Sequence, residues 1–233
     1  MSGDSSEIDT LKFFQGVIYS RTTILFEETA MKKPKTSTEK KTRRLRIGLV
    51  GASGTGKSSI ARGVASKLGI SFVESKSITK SILDRDEYDY ASGIQVERFL
   101  ADSSRQNEIL KKTIESQSDV GPFIADRTVI DLAAYAVIEL HDEDSALLRK
   151  IFYACKKHAS VYTHIFLCPW KDAPISDNHQ RTLNPWYQFL IHALDEGIMD
   201  DWGIKYVVLK SEGTDKRVAE IVAAITKSKA SSR

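Results

Sequence analysis

Residues 51–58 read Gly51-Ala52-Ser53-Gly54-Thr55-Gly56-Lys57-Ser58, and they fit the pattern G-x-x-x-x-G-K-[ST]. The three glycines let successive backbone N–H groups turn inward around phosphate oxygens. A helix starting at Lys57 adds the partial positive charge of its N-terminus. In such a loop the lysine, Lys57, reaches the β- and γ-phosphates, and the hydroxyl of Ser58 ligates Mg²⁺. The expected nucleotide contacts are Gly51, Ser53, Gly54, Thr55, Gly56, Lys57, Ser58 and Ser59. A bare glycine turn has no need of Lys-Ser at this offset.

The flanking sequence supplies the context this loop needs. Leu45 to Val50 is a short apolar run that enters the loop as a strand, and Lys57 to Leu68 has a helical pattern that stops at Gly69. Further strands are expected at 70–73, 122–125, 161–167 and 205–209. Helices are expected over 94 to about 117, with a break near Ser103-Ser104, and over 129–140, 145–158 and 214–225, with another starting at Asn184-Pro185. Thr128 is a candidate N-cap, with Asp131 at the capping-box position. Five strands separated by helices predict an α/β fold, a P-loop NTPase three-layer sandwich with a five-stranded parallel sheet and a short lid.

Charge divides the chain more sharply than its net +3 suggests. From Lys32 to Arg46 eight basic residues face one acid, Glu39, so that segment carries +7 and the other 218 residues carry −4. Residues 1–43 are therefore expected to be a flexible or basic extension, with the P-loop domain over 44–233. Met31 is a second candidate start of translation. Two cysteines, Cys155 and Cys168, cannot build a disulfide framework and read as reduced thiols of a cytoplasmic protein. No stretch approaches the roughly 20 apolar residues of a membrane helix. The run from Leu11 to Phe26 is broken by Lys12, Gln15 and Arg21 and lacks a small-residue cleavage site, which argues against a signal peptide.

Ligands of open α/β sheets bind beyond the carboxyl ends of the strands, so polar residues there are the site candidates. Asp126 ends the third strand, where the acid that holds Mg²⁺ is expected. Arg127 follows it, as a bidentate clamp on a phosphate or as an ordinary ion-pair partner. Glu74 ends the second strand, either to orient an attacking hydroxyl and accept its proton or as a solvated carboxylate. Residues 169–183 form a long polar connection in the place of a lid, with Arg181 first and Lys171 second as the cation that neutralises the transferring group. Trp170 and Trp186 flank it, and Ser211 to Arg217 are candidates for the base pocket. His179 has no His or Cys partners at metal-ligand spacing. A guanine-reading N-K-x-D is missing after the fifth strand, which ends Leu209-Lys210-Ser211-Glu212-Gly213, and no D-x-x-G follows the third; a GTPase is therefore disfavoured.

Gly51 to Ser58, the Glu after the second strand, the run Asp126-Arg127-Thr128 with Asp131, Ala134 and Tyr135, and the stretch Asp177 to Arg181 together resemble the AAA-type ATPase/kinase family. That family includes the nicotinamide riboside kinase domain of bacterial NadR proteins and many phage members. The resemblance spans about residues 45–226. It departs in the lid, where Asn178, His179 and Gln180 separate Asp177 from Arg181. The chain is also similar to thymidylate- and deoxynucleoside-type kinases, and to phage enzymes that phosphorylate hydroxymethylated pyrimidines within DNA. The resemblance implies an Mg-ATP-dependent phosphotransferase with a nucleoside- or nucleotide-like acceptor. The alternatives are a kinase for a hydroxyl carried on DNA, which the +7 segment favours, and an ATP-binding regulator without an acceptor.

Overall fold

The computed structural model describes residues 45–89, 99, 102–118, 120–140, 145–171 and 184–230. The expected 1–43 extension, Arg181 and most of the expected lid lie outside the described residues. Five strands, β1 (Arg46–Val50), β2 (Ser71–Val73), β3 (Phe123–Ala125), β4 (His164–Leu167) and β5 (Val207–Val208), form one parallel sheet in the order β2-β3-β1-β4-β5. The helices among the described residues are α1 (Lys57–Leu68), α2 (Ser75–Arg85), α3 (Ser103–Ser118), α4 (Val129–Glu139), α5 (Ser145–Ala159), α6 (Pro185–Asp201) and α7 (Thr214–Ala230).

The strands alternate between two apolar layers, as strands buried on both faces do. Ile47, Leu49, Ile124 and Phe166 point into one layer with Ile60 and Val64 of α1 and Val218 and Ile221 of α7. Val50, Phe123, Ala125, Ile165 and Leu167 point into the other, with Val129, Ile130 and Ala133 of α4, Ile151 of α5 and Met199 of α6. Phe123 and Phe166 are both fully buried, and truncating either to Ala is worth about 3–5 kcal/mol. Thus α1 and α7 cover one face, and α4, α5 and α6 the other. β1 sends its helix to the first face and its neighbour β3 sends α4 to the second, so a crevice opens between their carboxyl ends.

Two glycines permit close approaches that any side chain would obstruct. A Cβ at Gly48 would lie 2.6 Å from Thr128 Cγ2, and one at Gly63 would lie 2.8 Å from Val218 Cγ2. The second sets how closely α7 packs on α1.

The structure shows the fold class read from the sequence and revises several boundaries. β4 is shorter than expected, because Val161 and Tyr162 hydrogen-bond back to His158 and Ala159 as the preceding helix closes. β5 has only two residues, both substantially exposed on an edge, and the last helix runs on to Ala230. Helix α2 was not expected. Only Ile82 and Leu83 of its eleven residues are buried, too few to give an apolar periodicity. The break expected near Ser103-Ser104 is present: Phe99 is helical, Asp102 is a bend, and α3 starts at Ser103. The Asp102 carboxylate accepts from Arg105 N at 3.0 Å, and its carbonyl accepts from Gln106 N at 2.9 Å. Of the two termini expected from caps, Thr128 accepts from Ile130 N at 3.1 Å and Asn184 from Trp186 N at 2.9 Å. No described helix is long and apolar enough to cross a membrane.

One buried group is unusual. Asp195 of α6 is fully buried, and neither carboxyl oxygen has a hydrogen-bond partner among the described residues. Burial raises its pKa well above the ordinary carboxylate range, and the nearby Asp131 raises it further. The folded state therefore keeps this proton at pH values where the unfolded chain, with a carboxyl pKa near ~3.9, has lost it. Stability is unaffected below that value and falls as pH rises above it, because the native state binds more protons than the unfolded one. Asp195→Asn removes the titration and keeps the shape. It is expected to raise stability at pH 8 by about 1–3 kcal/mol, with the gain vanishing near pH 4. Urea unfolding of both proteins at the two pH values checks this, and a pH-independent difference refutes it.

Candidate nucleotide site

The octapeptide at the end of β1 curls through three left-handed glycines, with φ of 134° at Gly51, 84° at Gly54 and 87° at Gly56. Gly51 is the most constrained, since a Cβ there would sit 2.5 Å from the Cys168 carbonyl oxygen. The Thr55 hydroxyl donates to the Ala52 carbonyl at 2.9 Å and closes the turn. The Lys57 ammonium is buried in its concavity and donates to the Gly51 carbonyl and, at 2.8 Å, to the Ala52 carbonyl. Two neutral carbonyls satisfy its hydrogens but leave its charge uncancelled, which favours an anion at this place. Ser53 is half-buried, and Ser59 is exposed on the first turn of α1.

Asp126, buried at the end of β3, is the hub next to the loop. Its Oδ2 accepts from Ser58 Oγ at 2.5 Å, and its Oδ1 accepts from Ser75 N at 2.9 Å and Ser75 Oγ at 2.8 Å. The carboxylate thus draws together the start of α1, the start of α2 and the end of β3. Ser58 Oγ and Asp126 Oδ2 are adjacent hard oxygen donors of the kind Mg²⁺ takes while keeping waters and phosphate oxygens as its other ligands.

A second carboxylate supports the loop from the α4 side. Asp131 accepts from Gly51 N at 3.2 Å through Oδ1, and from Thr128 N at 2.7 Å and Thr128 Oγ1 at 2.9 Å through Oδ2. Burial raises its pKa, while the charges of Lys57 and Arg127 and the bonds from Thr128 act to lower it. The Arg127 guanidinium lies over the Tyr135 ring at 4.9 Å, a cation–π contact on the crevice side of α4.

The remaining candidates are placed less centrally. Glu74 is the residue before α2, and its carboxylate is held by Arg62 at 2.6 Å, an exposed pair. Lys171 reaches Glu212 at 2.5 Å, across to the loop after β5. Trp170 meets Phe189 edge-on at 5.3 Å, and Phe189 meets Trp186 at 6.4 Å. Trp186 is 68% exposed, so this aromatic group opens to solvent, while Trp170 packs against the cluster of Ala52, Tyr135 and Ile191. Cys168 is no nucleophile, because burial pushes its thiol up to about 11.

Sequence reasoning missed Ser75, which had no motif to mark it. It also treated Asp131 mainly as a cap, although the same carboxylate holds Gly51. Asp195 carried a readable signal: Ile191, Asp195 and Ile198 lie at helical spacing on one buried face, so a carboxylate stands where an apolar residue belongs.

No curated protein matches the sequence. Among solved structures, the chain is similar to the NadR protein in complex with NR, with a TM-score of 0.57 and 15% identity, over 79% of this chain and 50% of that one. It therefore spans about half the length of the NadR protein. It is also similar to NadR in complex with NAD and AMP-PNP (TM-score 0.56, 13% identity, 79% and 49% covered). Deoxyadenosine kinase from M. mycoides with bound dCTP gives a TM-score of 0.55 at 13% identity, over 78% of this chain and 100% of that one. At these identities the likeness is one of fold. The sequence itself matches the AAA domain family over residues 46–217, from the first residue of β1 to the arginine of α7 that reaches back to the loop, and the chain belongs to that family.

Proposed function

We propose that this protein is an Mg-ATP-dependent phosphotransferase acting on a nucleoside- or nucleotide-like acceptor. The observation that carries the reading is the node of Ser58, Asp126 and Ser75 beside the cradle that holds Lys57. Support also comes from the likeness to a deoxyadenosine kinase, over 78% of this chain and all of that one, and from the AMP-PNP bound in the similar NadR structure.

In this reading the loop N–H groups and Lys57 bind the β- and γ-phosphates of ATP. Ser58 and Asp126 hold Mg²⁺, which supplies charge neutralisation on the phosphate oxygens. The acceptor hydroxyl lies in the crevice between β1 and β3. Glu74 orients it and takes its proton once released from Arg62, and Arg127 faces the acceptor side. Arg181 is assigned to the transferring group. The chemistry is mostly positioning, since phosphoryl transfer needs little covalent help from protein.

A labelled-ATP assay tests this against nucleosides, nucleoside monophosphates, nicotinamide riboside, and plain and hydroxymethylated DNA. Transfer to a nucleoside-like member is expected. ATP turnover with transfer to none would assign the protein to the regulators. Lys57→Ala is expected to lower transfer by about 10²–10³-fold, as loss of one preorganised charge contact does. Unchanged transfer in that variant would refute the site.

The +7 segment gives one specific reason to keep DNA as a second acceptor. If it binds a phosphate backbone, DNA affinity falls steeply with salt, and removing residues 1–43 abolishes it. Unchanged affinity after that truncation refutes the DNA reading and leaves the small-acceptor reading untouched.

A further inference from the structure

The loop after β5 is fastened to a degree that an edge connection of a two-residue strand does not require. Glu220 of α7 accepts from Lys210 N at 3.0 Å and from Ser211 N at 2.9 Å. One turn earlier on the same helix, Arg217 donates through Nε to the Ser211 carbonyl at 2.9 Å. Lys171, beyond β4, holds Glu212 at 2.5 Å. The N–H groups of Lys210 and Ser211, the carbonyl of Ser211 and the side chain of Glu212 are thereby engaged.

Arg217 does more than brace this loop. Its Nη1 donates to the Thr55 carbonyl at 2.9 Å, in the middle of the phosphate cradle. The guanidinium is buried, and its planar fork holds two backbone carbonyls from segments more than 150 residues apart in sequence. The contact at Gly63, where no Cβ fits against Val218, lets α7 approach α1 closely enough for this reach.

We propose that Arg217 is a positioning residue that locks the 209–213 loop to the phosphate cradle, so that the two form one preassembled surface. The cradle takes the triphosphate, and the 209–213 loop, at the carboxyl end of β5 with β4 between it and β1, takes the nucleoside half of the donor, the base-pocket position expected from the sequence. This rests on the reading of the donor as ATP. It adds that base-dependent affinity is set by Arg217 and Glu220, neither of which need touch the nucleotide. Preorganisation is the physical reason: a loop already fixed loses little entropy when a base settles on it.

The test compares two probes that differ only in the nucleoside half, Mg-ATP and Mg-tripolyphosphate, by calorimetric binding to the full chain. The wild type is expected to bind ATP more tightly than tripolyphosphate. Arg217→Met keeps the buried length and removes the fork. It is expected to weaken ATP by about tenfold or more while changing tripolyphosphate less than about threefold. Glu220→Gln leaves the Thr55 contact intact and should shift the same ratio in the same direction. Equal weakening of both probes would make Arg217 a support of the cradle alone and overturn the proposal. So would an unchanged ratio, or a wild type that does not distinguish the probes. If Arg217→Met does not fold, Glu220→Gln decides by the same criterion. The readout is binding and needs no acceptor, so a failed acceptor assay leaves it intact.

Discussion

Everything in the site depends on one carboxylate being buried where it is costly to bury one. Asp131 is fully enclosed, and it partly offsets its desolvation by accepting from Gly51 at the end of β1 and from Thr128 beyond β3. Those bonds fix the first peptide of the phosphate cradle and the first turn of α4 relative to each other. Asp126 and Arg127, lying between β3 and Thr128, are placed as a consequence. The buried ammonium of Lys57 donates to two loop carbonyls and has no direct ion pair among the described residues, which keeps the cradle receptive to an anion. The same arrangement explains Asp195. A second carboxylate in this region cannot also ionise cheaply, and it is held with its proton.

Seen this way, the cradle is gripped from both faces of the sheet. Asp131 belongs to the layer of α4, α5 and α6, and takes a backbone N–H of the loop. Arg217 belongs to the layer of α1 and α7, and takes a backbone C=O, at Thr55. A glycine-rich loop has high conformational entropy when free. Two charge-assisted bonds to its backbone, one to each polarity, counter that entropy and leave the glycines their permissive dihedrals.

How much of this was legible in the sequence depends on range. Local signals read well: the octapeptide, the Thr128 and Asn184 caps and the alternation of apolar strands each depend on neighbours within a few residues. What failed was of two kinds. Helix α2 buries only Ile82 and Leu83, so the pattern that betrays a helix was too weak, and its position comes from packing against its surroundings. The partners of polar residues were illegible for a different reason. Nothing local links Asp126 to Ser75, Lys171 to Glu212 or Arg217 to Thr55, pairs separated by 51, 41 and 162 positions. Asp126 stands beside Ser58 because sheet topology, not local sequence, brings strand ends together.

The charge asymmetry of the chain gains a geometric meaning from β1. Arg46, the last member of the basic run, is also the first residue of that strand. Its guanidinium stands over the Phe123 ring at 5.6 Å, and its N–H is accepted by Thr163 at 3.0 Å. One of the eight positive charges thus belongs to the first residue of the sheet. The basic run joins the domain at the amino end of β1, whereas the phosphate cradle leaves from its carboxyl end, roughly 16 Å away at the rise of a five-residue strand. Basic charge at the point of attachment is therefore remote from the cradle. Its reach to a polyanion must come from the chain preceding Arg46, and fourteen residues span at most about 50 Å when fully extended. The point at which the basic run enters the sheet and the loop that leaves it therefore stand at opposite ends of β1.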